Sequence, residues 1–382
     1  MAISLVLLMV AAVLAEGFRA DLLRGPGFRT SGLFMSSFNT SILRYGDAQR
    51  DQFYKQLLDR MRLAEGVRSA VLTSGAPLSI GFATMGIVPE GYMLKPGQEA
   101  ISVFDSIVSD GYFETLGIPI VRGRGFRDSD RADTPAVAVV NEHLAQHFWP
   151  GQDPLGKRFH LHNGAGTRVE IVGISRNAKY ISIIEAPTDF LYLPFVQNRQ
   201  AQMTLVAESQ SNDPAVLAPV FRRVVQDLDR NMPVFDARSM SDLYENRAIK
   251  SSNLVNETVG SLAAMGLVLA IVGLYALVSF SVSRRTREFG IRIAVGADRG
   301  GVTRLVLKQA LVLGAVGVTA GFGIGIFACR ALTSQVFVNG MPTGMLLPVG
   351  VAVLLILTTT AAAWLPARRA GRIDPMQALR DE

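Results

Sequence analysis

Three stretches in the last third of the sequence are too long and too apolar for the core of a small soluble domain. Thr258 to Ser283 contains no charged residue, and neither does Gln309 to Cys329; a third run extends from Met345 to Trp364. A helix needs about 20 apolar residues to cross a hydrocarbon core of about 30 Å. Three such runs in close succession read as membrane spans rather than as buried soluble helices. Only 18% of the 382 residues are charged, against about 25% in an ordinary soluble chain. The apolar excess lies at the two ends, and the middle of the chain has the composition of a soluble domain.

Charge sets the orientation of these spans. The connection after the first of the three runs carries Arg284, Arg285, Arg287, Arg292, Arg299, Arg304 and Lys308, and the tail after the last carries Arg368, Arg369, Arg372 and Arg380. Ala331 to Gly344 has neither Lys nor Arg. Positively charged connections stay in the cytoplasm. Residues 284–308 and the C-terminal tail are therefore expected inside, with residues 331–344 and the large middle region outside. The N-terminal run, Ala2 to Ala15, rises only about 21 Å as a helix, which is short for a span. It reads either as a first transmembrane helix clipped by a late start codon, the favoured reading, or as a cleaved signal peptide ending near Val13-Leu14-Ala15. No Lys or Arg precedes Arg19, which removes the charged region that such a peptide usually carries.

The middle region alternates strand-like and helix-like segments. Leu33 to Thr40, Val67 to Thr73 and Ile101 to Val108 read as strands. Gly46 to Glu65 reads as a helix with Phe53, Leu57, Leu58 and Met61 on one face, and Tyr112 to Leu116 as a helical turn. Shorter strands are expected at 136–140, 169–174 and 190–193. Met203 to Glu208 is a further strand, and Asp213-Pro214 then offers an N-cap and an N1 proline. A stripe of Val216, Leu217, Val220, Phe221, Val224, Val225 and Leu228 follows, and Val234 to Ala237 closes the pattern as a strand. Two β-α-β halves of one split subdomain are expected, with an insertion over about 109–196 and a polar helix or stalk at 239–256.

Several chemistries are disfavoured. Gly151 to Lys157 nearly spells a phosphate-binding loop, but Arg158 stands where Ser or Thr should reach magnesium, and a strand replaces the required helix. His143 and His147 are four residues apart and His160 and His162 lie in a strand-like stretch, yet no H-E-x-x-H pattern is present. No metal site is expected. There is no G-x-S-x-G elbow, so no catalytic residue is assigned. Cys329 is the only cysteine, which excludes an intrachain disulfide and leaves it a small packing residue. The net charge of +6 sits beside the apolar runs, with no basic stretch interleaved with aromatics, and nucleic acid is not an expected partner.

Two patterns remain. Gly317, Gly321 and Gly325 repeat every four residues, and Gly266, Ala270 and Gly273 form a similar small face; such spacing brings helix backbones close, within one subunit or against a second copy. The stretch from Ser283 to Ala297 mixes arginines with Phe289, Ile291, Ile293 and Val295. A plain positive flank needs no such apolar face, and a short amphipathic helix docked on a partner or lying on lipid does.

This segment carries a resemblance. Arg287-Glu288-Phe289-Gly290-Ile291-Arg292-Ile293-Ala294-Val295-Gly296-Ala297 resembles the coupling segment of MacB/FtsX-like ABC transporter permeases. The tail with Pro366, Arg368, Arg369, Asp374, Pro375 and Leu379 is similar to that family's closing motif. Phe148 to Arg158 is similar to a recurrent stretch of its periplasmic core domain. The sequence most resembles one half, the second, of the duplicated orphan permeases of the acidobacterial type, with the first span and any preceding cytoplasmic helix cut short.

The resemblance implies an all-α bundle of four transmembrane helices, the first truncated, and an α+β extracytoplasmic domain. That domain would hold a split β-α-β porter-like subdomain and an inserted β-rich subdomain. The implied divisions are 1–18 for the first helix, 19–256 for the periplasmic core domain and 257–382 for the permease domain. Helices are expected near 258–283, 309–330 and 345–365, with the coupling segment at 284–308. The implied location is the bacterial inner membrane. The implied partners are a cytoplasmic ABC ATPase, a second permease copy or the other half of a duplicated chain, and, as an optional addition, a periplasmic adaptor. ATP and magnesium would belong to the ATPase, with no cofactor on this chain. Arg287, Glu288, Gly290, Arg292, Ala294 and Gly296 would couple the two. The alternative reading is a membrane-anchored sensor or scaffold without transport.

Overall fold

The computed structural model describes residues 2–79, 82–295, 298–336 and 346–370. The chain divides into two compact units, residues 21–251 and residues 1–20 with 252–382. The first helix, α1 (Ala2–Arg24), precedes the larger unit.

In that unit, β1 (Leu33–Asn39), α2 (Asp47–Leu63) and β2 (Val67–Thr73) form the first half-motif. The α2 stripe expected from sequence is buried at all four positions, together with Tyr54. The second half-motif comprises β10 (Gln202–Ser209), α5 (Leu217–Leu228) and β11 (Phe235–Ser239), after the elements from β3 to β9 described below. Asp213 accepts from the Ala215 amide at 2.9 Å, and Pro214 opens a 3₁₀ turn leading into α5. Leu217, Phe221 and Val225 are buried, whereas Val216 lies in the 3₁₀ turn and is 44% exposed. The two halves interleave as β11-β1-β10-β2, all antiparallel. This is the split β-α-β arrangement, and α2 and α5 add Phe53, Leu57 and Phe221 to a core with Phe34 and Phe38 of β1.

Between β2 and β10 run β3 (Ala83–Pro89), β4 (Ile101–Val108), α3 (Tyr112–Leu116), β5 (Ile120–Gly123), β6 (Val137–Asn141), α4 (Glu142–Phe148), β7 (Arg158–Leu161), β8 (Arg168–Ser175) and β9 (Phe190–Pro194). Their order is β4-β3-β7-β8-β6-β9, and β9 pairs back onto β4 in parallel register, Phe104 opposite Phe190 through Val108 opposite Pro194. The ring is therefore closed, and closure removes free strand edges. It takes in strands from Ala83 onward, more than the expected 109–196 insertion. β4 pairs along its length with β3 and β9 but meets β2 only at Thr73 and Val108.

The chain then enters α6 (Met240–Tyr244), a π-helical turn at Glu245–Lys250 and α7 (Ser251–Arg284), one unbroken helix of 45 residues. The membrane unit is completed by α8 (Thr286–Ala294), α9 (Arg299–Val336) and α10 (Leu346–Ala370). Among the described residues, four helices are long and apolar enough to cross a membrane: α1, the helix ending in α7, α9 and α10. Each observed helix exceeds its apolar run because charged and polar residues at the ends continue the turn. The outward surface of α7, α9 and α10 is apolar, with Leu269, Phe280, Val316, Phe327 and Leu357 all more than half exposed, as lipid-facing residues are.

The small-residue pattern has a partner inside the bundle. A Cβ built on Gly321 would stand 2.8 Å from Ala2 Cα, and one on Gly325 would stand 2.6 Å from the Met9 sulfur. Gly317 is half-buried. Ser4 donates from its hydroxyl to the Gly266 carbonyl at 2.8 Å. Leu5, Met9 and Val13 are buried with Val318, Cys329 and Leu355. This packing places α1 in the bundle.

Candidate functional site

The connection between α7 and α9 forms a small helix distinct from both. Arg285 leaves helical geometry at φ −108° and ψ 14°. Its amide still donates to the Val282 carbonyl at 3.1 Å, and its own carbonyl accepts from Phe289 at 3.0 Å. Thr286 donates to the Val282 and Ser283 carbonyls at 3.2 and 2.8 Å. These bonds satisfy carbonyls that the end of α7 would otherwise leave open.

Helical periodicity then divides α8 into two faces. Phe289 and Gly290 are buried and Ile293 is partly buried. Phe289, 2% exposed, packs in a cluster with Leu274 and Val278 of α7, Val302 and Val306 of α9, and Ala363 and Ala367 of α10. The opposite face presents Arg287, Glu288, Ile291, Arg292 and Ala294 to solvent. Ile291 is 46% exposed and Val295, just past the helix, 84%. Glu288 and Arg292 pair at 2.8 Å across one turn, which contributes a few tenths of a kcal/mol to helicity.

Of the residues singled out from sequence, Arg287, Glu288, Arg292 and Ala294 therefore share the open face, and Gly290 lies on the inner one. Gly296, Asp374, Pro375 and Leu379 lie outside the described residues. Ile291 and Val295, named in the sequence only as part of the amphipathic pattern, are the most exposed large apolar groups among the described residues of the connection.

The end of α10 carries the described part of the closing motif. Pro366 is buried inside the helix, where its ring removes one amide donor. Arg368 lies over the Trp364 ring at 5.2 Å, as Arg284 lies over Phe280 at 5.1 Å. Arg369 donates to the Tyr275 hydroxyl at 3.1 Å, tying α10 to α7. Aromatic rings beside arginines at helix ends are the pattern of a membrane–water boundary.

Elsewhere, the Gly151–Arg158 stretch folds as a turn with Gly151 and Gly156 at positive φ, and β7 begins at Arg158 where a phosphate loop would require a helix. His143 and His147 meet through Asp189: their Nδ1 atoms lie 2.8 and 2.7 Å from its two carboxylate oxygens. Asp189 lies more than 40 residues further along the chain, beyond the reach of local pattern. Among the described residues, no group of three or more His, Cys, Asp or Glu could hold a metal ion.

Comparison with known proteins matches both units. Residues 1–220 match the MacB-like periplasmic core domain, and residues 260–375 match the FtsX-like permease C-terminal domain. The chain belongs to the MacB/FtsX-like family of ABC transporter permeases. The ABC transporter permease YknZ of Bacillus subtilis is 24% identical over 369 residues, covering 94% of this chain and 86% of that protein. The macrolide export ATP-binding/permease protein MacB of Marinobacter nauticus is 28% identical over 282 residues, 69% of this chain and 41% of that protein. The pyoverdine export ATP-binding/permease protein PvdT of Pseudomonas putida is 24% identical, with coverage of 78% and 46%. The chain thus spans less than half the length of these two ATP-binding relatives. Among solved structures, the periplasmic region of MacB from Actinobacillus actinomycetemcomitans is similar at 14% identity and a TM-score of 0.41, covering 59% of this chain and 97% of that one. Membership in this family makes the chain an inner-membrane protein whose larger unit is extracytoplasmic, which agrees with the distribution of arginines.

Proposed function

We propose that the chain is a transporter subunit that couples ATP hydrolysis by a separate cytoplasmic ATPase to a conformational change outside the membrane. The observation that carries this reading is α8, a nine-residue helix. It is anchored by Phe289 and carries an open face of Arg287, Glu288, Ile291, Arg292 and Ala294. Apolar groups beside charges on a cytoplasmic helix suit a protein groove. ATP and magnesium bind to the partner, whose approach to a second partner would push on α8. Because Phe289 belongs to one packed cluster with residues of α7, α9 and α10, a force on α8 would pass into that cluster. The permease unit works as a pair, with a second copy or the other half of a duplicated chain, and a periplasmic adaptor would join outside.

A photocrosslinker placed at Ile291 tests this reading. It captures a P-loop ATPase in native membranes, whereas the same group at Phe327, on the lipid-facing surface, captures none. Capture at neither position, with both variants inserted and folded, contradicts the assignment and favours a sensor or scaffold.

A further inference from the structure

Asp105 lies on β4 between Val103 and Ile107, on the strand face that is otherwise apolar. It is 3% exposed, and its Oδ1 has no hydrogen-bond partner among the described residues. Native folds rarely leave a buried carboxylate oxygen unpaired, because the lost hydration is not replaced. Burial pushes its carboxyl up to about 6, against a smaller opposing effect of His162.

Asp105 borders a cavity of about 380 Å³ in the extracytoplasmic unit, lined also by Ser37, Ser79, Gln200, Gln202 and Thr204. That volume falls within the range of small-molecule sites, about 300–1,000 Å³. Three other charged groups belong to the lining. Asp236 and Arg238 bond to each other, and Arg247 is exposed to solvent. The wall next to Ser79 is held in an unusual conformation. Leu78 is buried at φ 61°, a left-handed geometry that costs a non-glycine residue energy, and its amide donates to the Tyr180 carbonyl at 2.7 Å.

We propose that this cavity binds a small polar molecule carrying a protonated amine. The ammonium group donates to Asp105, and the Gln200 and Gln202 amides take the remaining polar groups. The chemistry of the lining selects this class. An ionised carboxylate only accepts hydrogen bonds, so Asp105 itself would repel an anion, and an apolar guest would leave it unpaired. A hard divalent cation takes six or more oxygen ligands, more than one unpaired carboxylate provides. The site lies entirely within the extracytoplasmic unit and does not depend on how α8 is used.

Calorimetric titration of the full-length chain in detergent at pH 7.5 tests the proposal, with ethanolamine and glucosamine as probes and ethylene glycol and glucose as their neutral counterparts. At least one amine binds, and its neutral counterpart binds at least tenfold more weakly. Asp105→Asn, which keeps the shape and removes the charge, weakens amine binding at least tenfold. In the wild type, amine affinity falls as the pH drops through about 6, where Asp105 takes up its proton. The pH series needs no variant and decides the matter if Asp105→Asn fails to fold. Binding of neither amine, equal binding of amine and neutral probe, or an affinity that does not change between pH 7.5 and 5 overturns the proposal.

Discussion

Gly325 of α9 meets the thioether of Met9 on α1 so closely that an added Cβ would stand 2.6 Å from the sulfur, and one turn earlier Gly321 meets the Ala2 backbone at 2.8 Å. The two contacts differ in what can yield. A methionine side chain is flexible, and a helix backbone is not.

Gly321→Leu is therefore expected to separate α1 from α9 and to destabilise the bundle by about 1–3 kcal/mol, the usual cost of overpacking. Gly325→Ala should cost less, because Met9 can turn aside. Thermal unfolding in detergent, followed by tryptophan fluorescence, orders the two; equal losses would contradict the assignment of these glycines to α1 packing.

Asn141 ends β6 and caps α4. Its Oδ1 accepts from the Leu144 and Phe190 amides at 3.0 and 3.1 Å, and its Nδ2 donates to the Thr188 carbonyl at 2.8 Å. It is 2% exposed. Asn141→Ala leaves two buried amides and a carbonyl open and should cost about 2–3 kcal/mol. Urea unfolding of the full chain reads this as a lower midpoint.

Asp105 gives stability a pH dependence of defined sign. Its carboxyl is raised from the ordinary 3.8 to about 6 by burial. In the folded chain it thus holds its proton to a higher pH than in the unfolded one. Its contribution is most favourable below about pH 4 and is lost as the pH rises through about 6. Asp105→Asn is expected to stabilise the protein by about 3 kcal/mol at pH 7.5, with the gain disappearing near pH 4. Melting temperatures of both proteins across pH 4 to 8 check this. A constant difference would mean that the fold does not raise the Asp105 carboxyl.

Much of the fold could be read from sequence where the signal was periodic and local. The α2 face of Phe53, Leu57, Leu58 and Met61, the strands around Val71 and Val206, and the Asp213-Pro214 start of a helix all follow from neighbours a few residues apart. The closed ring was not legible. β3 carries Gly86 and ends in Pro89, β5 and β7 have four residues each, and the pairing that closes the ring joins residues 86 positions apart in the chain. The open face of α8 was visible as Ile291 and Val295 among arginines. That Gly290 turns inward depends on where Phe289 seats, which only the packed bundle determines. Likewise, Asp105 reads as an ordinary strand residue until three-dimensional packing closes around it.

The coupling role of α8 is tested most directly by co-purification of the detergent-solubilised full-length chain with a P-loop ATPase. Ile291→Glu and Val295→Glu change only exposed side chains and leave the Phe289 seat intact, so the melting temperature should stay near that of the wild type. Glu288→Lys reverses a charge on the same face. The wild type should retain the ATPase, and the Ile291→Glu/Val295→Glu double variant should retain at least tenfold less. Undiminished retention in the folded double variant, or none in the folded wild type, would contradict it.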